Sequence, residues 1–286
     1  MHIEPIQTTQ TTAFGATVTG VDLNRLGDDE WAVIETAWYE YAVLVFPNQH
    51  VEEPAHVALG ERIGDLEQFV ADQKSVPISN RRVDGSAVDP NSDHFQILKG
   101  NEGWHTDSTY MPLSARASIL AAQVVPTEGG QTEWADMRAA YDALDDETRE
   151  QIADLAAYHS LFYSQSKVGH KPAVGASYGL SDQDIPLRPL VKVHPVTQRP
   201  ALFIGRHAYG IPGLSQAESE ALLERLTAFA CQSPRVFAHA WEPGDVVMWD
   251  NRCVLHRARP YDYAKPRVMR HVRVAGDPIT EAGIQN

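Results

Sequence analysis

Cysteine is scarce in this chain of 286 residues, which contains only Cys231 and Cys253. Two cysteines cannot build the dense disulfide framework of a small secreted protein, so we expect both to be reduced. The cysteine content therefore favours a reducing compartment, and we expect a cytoplasmic protein.

Long apolar runs are also missing. No stretch approaches the roughly 18 consecutive apolar residues that a membrane-spanning helix needs. The polar start of the chain, residues 1–12, lacks the basic and then apolar pattern of a signal peptide. We therefore expect no membrane contact, while a hydrophobic content of 43% is typical of a globular protein.

Positive charge is in deficit, because 24 Lys and Arg stand against 38 Asp and Glu and give a formal net charge of −14. Nucleic-acid binding requires a basic surface, so we expect no nucleic-acid partner. The overall charge does not attract a small anion either. Any anionic substrate must therefore be recognised by local arginines.

Hydrophobic periodicity predicts helices over 28–41, 54–63 and 139–156, and a capping box of Ser215 and Glu218 opens a further helix that runs to about Gln232. Short apolar or alternating runs predict strands over 42–46, 117–125, 132–135, 187–194, 201–205, 245–249 and 268–275. Residues 73–101 read as a long loop, which we interpret as an active-site lid because it leads directly to His105. Several short strands around helices favour one domain over 1–286, mainly β with helical insertions (α+β), with an insertion over about 137–232.

Two distant segments carry residue types that bind metals. His105 and Asp107 form a His-x-Asp pair, and His256 lies about 150 residues further along the chain. On a strand, His105 and Asp107 point to the same side and can reach one ion. Two histidines and one carboxylate are typical of a non-haem Fe(II) site with three open positions. A lone His-x-Asp occurs roughly once by chance in this composition, so the pair alone is weak.

Three segments together resemble the TauD/TfdA family of Fe(II)- and 2-oxoglutarate-dependent dioxygenases: WHTDSTY at 104–110, GDVVMWDNR at 244–252 and HRA at 256–258. The similarity extends from Gly15 to about Gly276, with the motifs in the same order. Within the family, the chain looks closest to bacterial aryloxyalkanoate dioxygenases that act on (S)-phenoxypropionates. The segments that carry this closer resemblance are 135–141, 159–161, 163–167, 186–195 and 205–208. The resemblance implies a double-stranded β-helix (jelly roll) core.

The resemblance also assigns roles to single residues. The family's iron ligands fall on His105, Asp107 and His256. Its threonine that hydrogen-bonds 2-oxoglutarate falls on Thr132, and its arginine for the far carboxylate of 2-oxoglutarate falls on Arg267. A guanidinium suits that contact because it binds a carboxylate through two parallel hydrogen bonds.

The chain departs from the family at one position. Relatives often carry a second arginine, for the anionic head of the substrate, four residues after the first; here that residue is His271. Alternate residues on a strand share a face, so Arg273 lies on the side of Arg267 and His271 while Arg270 points away. We therefore expect Arg273, with His271 beside it, to hold a carboxylate of the substrate or co-substrate.

Further substrate contacts are expected from Asn101, four residues before His105, where relatives contact their substrates. An aromatic substrate needs an apolar lining. Tyr110 and Ile78 are the first candidates for that lining, and Phe69, Val70 and Phe203 are others.

The resemblance implies hydroxylation of the carbon next to the ether oxygen of an aryloxyalkanoate, of the phenoxypropionate or phenoxyacetate herbicide type. The products would be a phenol and a 2-oxo acid, together with succinate and CO2. Fe(II), 2-oxoglutarate and O2 are the implied cofactor and co-substrates, the partner is a small anionic aromatic molecule, and we expect a homo-oligomer, a dimer or a trimer. Two alternatives stay open at this point. One is the same chemistry on a small alkyl sulfate or sulfonate such as taurine, and the other is a metal- or ligand-binding β-helix protein without turnover.

Overall fold

The computed structural model describes residues 1–8, 13–69, 73–176 and 178–284. Within these ranges the strands are β1 His2–Thr8, β2 Ala13–Thr19, β3 Val43–Phe46, β4 Val76–Ser79, β5 Ala117–Val124, β6 Thr132–Asp136, β7 Ala156–His159, β8 Leu187–Pro189, β9 Val191–Val193, β10 Pro200–Leu202, β11 Ala208–Tyr209, β12 Val236–His239, β13 Val246–Asp250, β14 Val254–Ala258 and β15 Val268–Val274. The helices are α1 Asp28–Tyr41, α2 Glu53–Glu61, α3 Asp93–Gly100, α4 Met137–Asp142, α5 Asp146–Ile152, α6 Leu161–Lys167 and α7 Gln216–Ala230, with a 3-10 turn at Leu23–Arg25.

The larger sheet has the strand order β1-β2-β3-β13-β5-β15-β4, in which only β2 and β3 pair in parallel. Its central strand β13 is buried along its whole length. Val246 and Met248 pack toward α1 and α2, while Val247 and Trp249 face the inner core. A strand that is covered on both faces reads as a continuous apolar run, which is why this segment was readily predicted.

The smaller sheet, β12-β6-β14, is antiparallel and faces the larger one. Trp134 of β6 and Leu255 of β14 meet Leu120 of β5 and Met269 of β15 in the inner core. The molecule is thus mainly β, with the helices outside two facing sheets. β5 and β15 of the larger sheet and β6 and β14 of the smaller sheet position the candidate site between them.

The prediction of one long loop over 73–101 is wrong for two stretches of it, because β4 and α3 lie there. β4 is short and pairs with the edge of β15. α3 begins after Ser92, whose hydroxyl accepts a hydrogen bond from the Phe95 amide at 3.3 Å. The turn residues between these elements hid both from a periodicity analysis.

The single helix predicted over 139–156 is also wrong. The chain forms α4 and α5 there and then enters β7, because Asp145 caps α5 by accepting the Thr148 amide at 2.7 Å.

The insertion over 137–232 contains α4 to α7, but it also contains β7 to β11. The strand predicted over 187–194 is two short strands, β8 and β9. The helix over 28–41 and the capping box of Ser215 and Glu218 are confirmed.

None of the helices in the described residues is long and apolar enough to span a bilayer.

Candidate active site

His105 and His256 are brought together by backbone pairing. The His105 amide donates to the His256 carbonyl at 3.0 Å, and the His256 amide donates to the His105 carbonyl at 2.8 Å. The strand expected across 105–107 is not formed: His105 makes an isolated bridge, and Asp107 begins a turn in which Ser108 has φ of 53°. The result is nevertheless a compact group, because one ligand atom each of His105, Asp107 and His256 lies within 4.8 Å of the others.

The protonation of the two histidines suits metal binding. His105 Nδ1 lies 2.8 Å from the carbonyl oxygen of Gly103, which can only accept, so Nδ1 carries the proton and Nε2 keeps its lone pair. Burial lowers the pKa of His105 to about 3 and the pKa of His256 to about 4. Both imidazoles are therefore neutral at physiological pH, the form that binds a metal ion.

Asp107 is held at both carboxylate oxygens. Arg273 Nη2 lies 3.0 Å from Oδ1, and the Ser118 hydroxyl donates to Oδ2 at 2.7 Å. Burial by itself raises the pKa of Asp107, but the charges of Arg273 and of the neighbouring His256, His271 and His105 together outweigh it and hold the pKa below its ordinary value. Asp107 is thus an oriented carboxylate that stays ionised.

Arg273 lies between two carboxylates. Besides Asp107 it contacts Glu67, whose Oε2 lies 3.4 Å from Arg273 Nη1 and also accepts hydrogen bonds from the hydroxyls of Ser108 at 2.8 Å and Tyr178 at 2.9 Å. Phe69 packs against the guanidinium at 4.7 Å from its ring centroid. Sequence reasoning did not find Glu67. The assignment of Arg273 to a substrate carboxylate stays a prediction.

One cavity, with a solvent-accessible volume of about 70 Å³, is lined by nine of the thirteen residues singled out from the sequence. These nine are Ile78, Asn101, His105, Asp107, Thr132, His256, Arg267, His271 and Arg273. Leu98, Leu120, Trp249, Ala258, Tyr261 and Tyr263 complete the lining. On β15, His271 and Arg273 face this cavity while Arg270 contacts Glu53 and Ser75 on the outer side, as predicted from strand alternation.

The other expected wall residues lie outside this lining. The Tyr110 ring packs at 4.9 Å from His207, which in turn lies 5.9 Å from the candidate ligand His105. Phe203 stacks against His159 with its ring 6.0 Å away. Val70 lies outside the described residues.

Thr132 and Arg267 form a separate polar end of the cavity. Trp241 Nε1 donates to Thr132 Oγ1 at 2.9 Å, so the hydroxyl proton of Thr132 is left to donate elsewhere. Arg267 is 4% exposed, and among the described residues no carboxylate lies within ion-pair distance of it. Its Nε contacts the Gly130 carbonyl at 3.3 Å, and burial lowers its pKa. A buried cation without a counter-charge is costly, and a bound carboxylate would supply the missing charge.

The donor set fits the expected groups. Two neutral imidazoles and one ionised carboxylate, all buried, are the ligands that a divalent non-haem iron prefers. Arg267 and Thr132 offer charge and a hydroxyl donor to a dicarboxylate that lies in the same cavity.

The comparisons with known proteins decide the family. The model described as "Taurine catabolism dioxygenase TauD, TfdA family" matches residues 2–275. The chain belongs to the TauD/TfdA family. It is 54% identical over 277 residues, with 95% of each chain covered, to the (S)-phenoxypropionate/alpha-ketoglutarate-dioxygenase of Sphingobium herbicidovorans. It is 50% identical to the enzyme of the same name from Delftia acidovorans, with 96% of this chain and 97% of the relative covered.

A solved structure of another protein has the same fold as this chain. The crystal structure of AAD-2 in complex with Mn(II) and N-oxalylglycine superposes with a TM-score of 0.89 at 39% identity, covering 99% of this chain and 100% of the other. These findings confirm the predicted family, the jelly-roll fold class and the expectation of a 2-oxoglutarate-dependent dioxygenase.

Proposed function

We propose that this chain is an Fe(II)- and 2-oxoglutarate-dependent dioxygenase that cleaves aryloxyalkanoates. The observation that carries the proposal is a single cavity that joins His105, Asp107 and His256 to Arg267, which forms no ion pair with any described residue. Sequence identities of 54% and 50% to phenoxypropionate dioxygenases support the substrate class.

His105, Asp107 and His256 would hold the iron, and Arg267 with Thr132 would hold the far carboxylate of 2-oxoglutarate. Bound iron and 2-oxoglutarate supply the oxidising power that inserts one oxygen atom of O2 into a C–H bond, while 2-oxoglutarate becomes succinate and CO2. The side chains themselves position the co-substrate and keep the site closed to bulk water, since all five are buried.

The reaction outcome follows from where the oxygen is inserted. Hydroxylation of the carbon between the ether oxygen and the carboxylate gives a hemiketal, or a hemiacetal from an aryloxyacetate. Its C–O bond breaks as the hydroxyl proton passes to the leaving oxygen, which yields a phenol and a 2-oxo acid. Ile78 and Asn101 line the cavity at positions suited to contact the substrate, and Tyr110 lies behind His207.

The remaining expectations are part of the same proposal. We infer a cytoplasmic enzyme that forms a homo-oligomer of two or three copies and acts on a small anionic aromatic molecule. Size-exclusion chromatography with light scattering measures the number of copies directly.

The first test is anaerobic. Fe(II) and 2-oxoglutarate are added to the apoprotein, and the weak visible charge-transfer band of the complex is recorded before and after (S)- or (R)-2-aryloxypropionate. O2 is then admitted, and phenol and succinate are measured against the His105→Ala and Asp107→Ala variants. We expect a band, a shift with at least one enantiomer, and phenol that neither variant produces.

The outcomes separate the parts of the proposal. A band that responds to neither acid would keep the dioxygenase and remove the aryloxyalkanoate, and a panel of alkyl sulfates and sulfonates would then be tried. Turnover by Asp107→Ala would reject the ligand assignment. The lack of any band in iron-loaded protein would reject the dioxygenase itself.

A further inference from the structure

A chain of hydrogen bonds leads from the indole of Trp249 to the carboxylate of Asp107. Trp249 Nε1 lies 3.0 Å from Asn251 Oδ1, and Asn251 Nδ2 lies 2.9 Å from Ser118 Oγ. Ser118 Oγ lies in turn 2.7 Å from Asp107 Oδ2. All four residues are buried, so bulk water does not compete for these bonds.

The direction of the protons follows from the first member of the chain, because an indole N–H can only donate. Trp249 must face the amide oxygen of Asn251, which turns the amide NH2 toward Ser118. This contact settles the orientation of the amide. The Ser118 oxygen accepts from Asn251, and the hydroxyl proton is therefore directed to Asp107.

We propose that Trp249, Asn251 and Ser118 form a relay that positions Asp107 for metal binding. The inference rests on the proposed iron site. Ser118 holds Oδ2, while Arg273 holds Oδ1 from the other side at 3.0 Å. The oxygen that Ser118 contacts also lies 3.6 Å from Nε2 of His256. The relay thus acts on the carboxylate oxygen that faces His256, and it restrains rotation of the carboxylate before any metal arrives.

The local structure keeps the relay rigid. Trp249 ends the apolar part of β13, and its ring lies 4.8 Å from the ring of His256 and stacks on His271 at 5.9 Å. The turn that follows is fixed by Asp250, which accepts the amide and the guanidinium of Arg252 at 2.9 Å and 2.8 Å. One tryptophan therefore supports a ligand histidine with its ring and the ligand carboxylate through its N–H.

The test measures metal binding rather than turnover. Apoprotein is titrated with Mn(II) alone, and free Mn(II) is followed by its electron paramagnetic resonance signal. Ser118→Ala removes the donor to Asp107, and we expect the Kd for Mn(II) to rise about 10- to 100-fold, the usual cost of losing a partner of a metal ligand. Ser114→Ala is the matched control, since Ser114 is a buried serine whose hydroxyl contacts the Glu281 carbonyl, outside the relay.

Two further variants act earlier in the relay. Asn251→Asp keeps the size of the side chain but replaces the NH2 donor by an acceptor, so the Ser118 hydroxyl turns toward residue 251 and away from Asp107. We expect a loss of Mn(II) affinity in the same range. Trp249→Phe keeps a ring against His256 but frees the amide to flip, and we expect a smaller loss.

The results distinguish this inference from the function on which it rests. If wild type binds Mn(II) and both Ser118→Ala and Asn251→Asp bind it equally well, the relay is rejected and the iron site stands. If wild type itself binds no Mn(II), both the iron site and the relay are rejected. Equal weakening by Ser114→Ala would trace the effect to packing and would also reject the relay.

Discussion

At the scale of single residues, Arg267 and Arg270 show how environment decides what an arginine can do. Arg267 is buried in the cavity, and no carboxylate of the described residues lies within ion-pair distance of it. Arg270, three residues on, contacts Glu53 at the outer surface. The same side chain is therefore open to a ligand carboxylate in one case and neutralised in the other.

Arg267→Met tests this difference. Removing one partner of a buried charged pair costs about 2–5 kcal/mol, so we expect the KM for 2-oxoglutarate to rise about 30-fold or more. The KM for the aryloxyalkanoate should change far less. Steady-state kinetics with each substrate varied in turn measure both, and Arg270→Met is the matched control with neither constant changed. The opposite pattern would show that Arg267 binds the substrate instead.

Arg273 has a different environment, because its charge is shared between Asp107 and Glu67. Its buried Nε has no hydrogen-bond partner among the described residues, so one donor is left for a ligand. We expect Arg273→Gln to raise the KM for an aryloxypropionate about 10-fold or more, the cost of a lost hydrogen bond to a charged group. The KM for its uncharged methyl ester should stay near the wild-type value.

The ester is the control for a purely structural role. If Arg273→Gln raises the KM for the acid and the KM for the ester equally, Arg273 acts through Asp107 and Glu67 rather than through the substrate carboxylate. The kinetics are measured at saturating Fe(II), so that a change in KM does not arise from loss of the metal in the variant.

The sequence permitted the prediction of some residues of the candidate site but not of others. His105, Asp107 and His256 lie in motifs whose order along the chain is informative, and Arg267 has a fixed spacing from His256. Glu67 lies in no motif. Its partner Arg273 is 206 positions away, and backbone pairing of residues 65–67 with residues 273–275 brings the two together. Contacts set by long-range pairing leave no local signal.

At the scale of elements, the described residues between α6 and β8, 168–176 and 178–186, pack against Tyr110 through Gly179. Gly179 has φ of +78°, and a Cβ there would lie 2.1 Å from the Tyr110 ring. Gly169 in the same segment has φ of +82° but open space around it. Substitution by alanine at Gly169 therefore introduces backbone strain alone, whereas the same substitution at Gly179 adds a clash with Tyr110.

We expect Gly179→Ala to displace Tyr110 or the segment, so that the substrate KM rises several-fold and proteases cut 168–186 faster. Gly169→Ala should cost only about 1 kcal/mol of backbone strain and leave the KM unchanged. Limited proteolysis followed by mass spectrometry locates the cut, and kinetics give the KM. Equal behaviour of the two variants would show that the contact with Tyr110 does not hold the segment.

Elements with strong local signals were predictable, and short ones were not. α1 has a clear apolar periodicity, and α7 has a capping box. β4 has four residues at a sheet edge, and α3 has eight after a serine cap, so neither fills a periodic window. Their conformation depends on neighbours such as β15, which a local pattern does not contain.

At the scale of the whole molecule, the candidate site joins the two sheets. His256 and Thr132 belong to the smaller sheet, whereas Ser118, His271 and Arg273 belong to the larger one. A bound metal ion would therefore connect the two sheets through Asp107, whose carboxylate is held by Ser118 and Arg273 of the larger sheet. Without it, the same buried polar groups depend on protein contacts alone, which makes the apoprotein sensitive to protonation.

Several histidines of the apoprotein are buried in the neutral form. Burial lowers the pKa of His56 to about 4 and that of His271 to about 3, and it holds the pKa values of His159 and His207 well below the ordinary value. These groups take up protons near pH 6.5 once the chain unfolds, so the unfolded state binds more protons below that pH. Burial raises the pKa of Glu67. This shift favours proton binding by the folded state and so opposes the effect of the histidines, but it concerns a single group.

We therefore expect the free energy of unfolding of the apoprotein to be constant between about pH 7 and 8 and to fall steeply between about pH 6.5 and 4. His56 alone would contribute about 3 kcal/mol to this loss, from 1.36 kcal/mol per unit of pKa. Urea unfolding at several pH values in the presence of a chelator measures it, and His56→Gln should lower the slope by up to one proton. Stability that stays level down to pH 5 would show that these histidines are not held neutral, because their protonation in the folded state would then match that in the unfolded state.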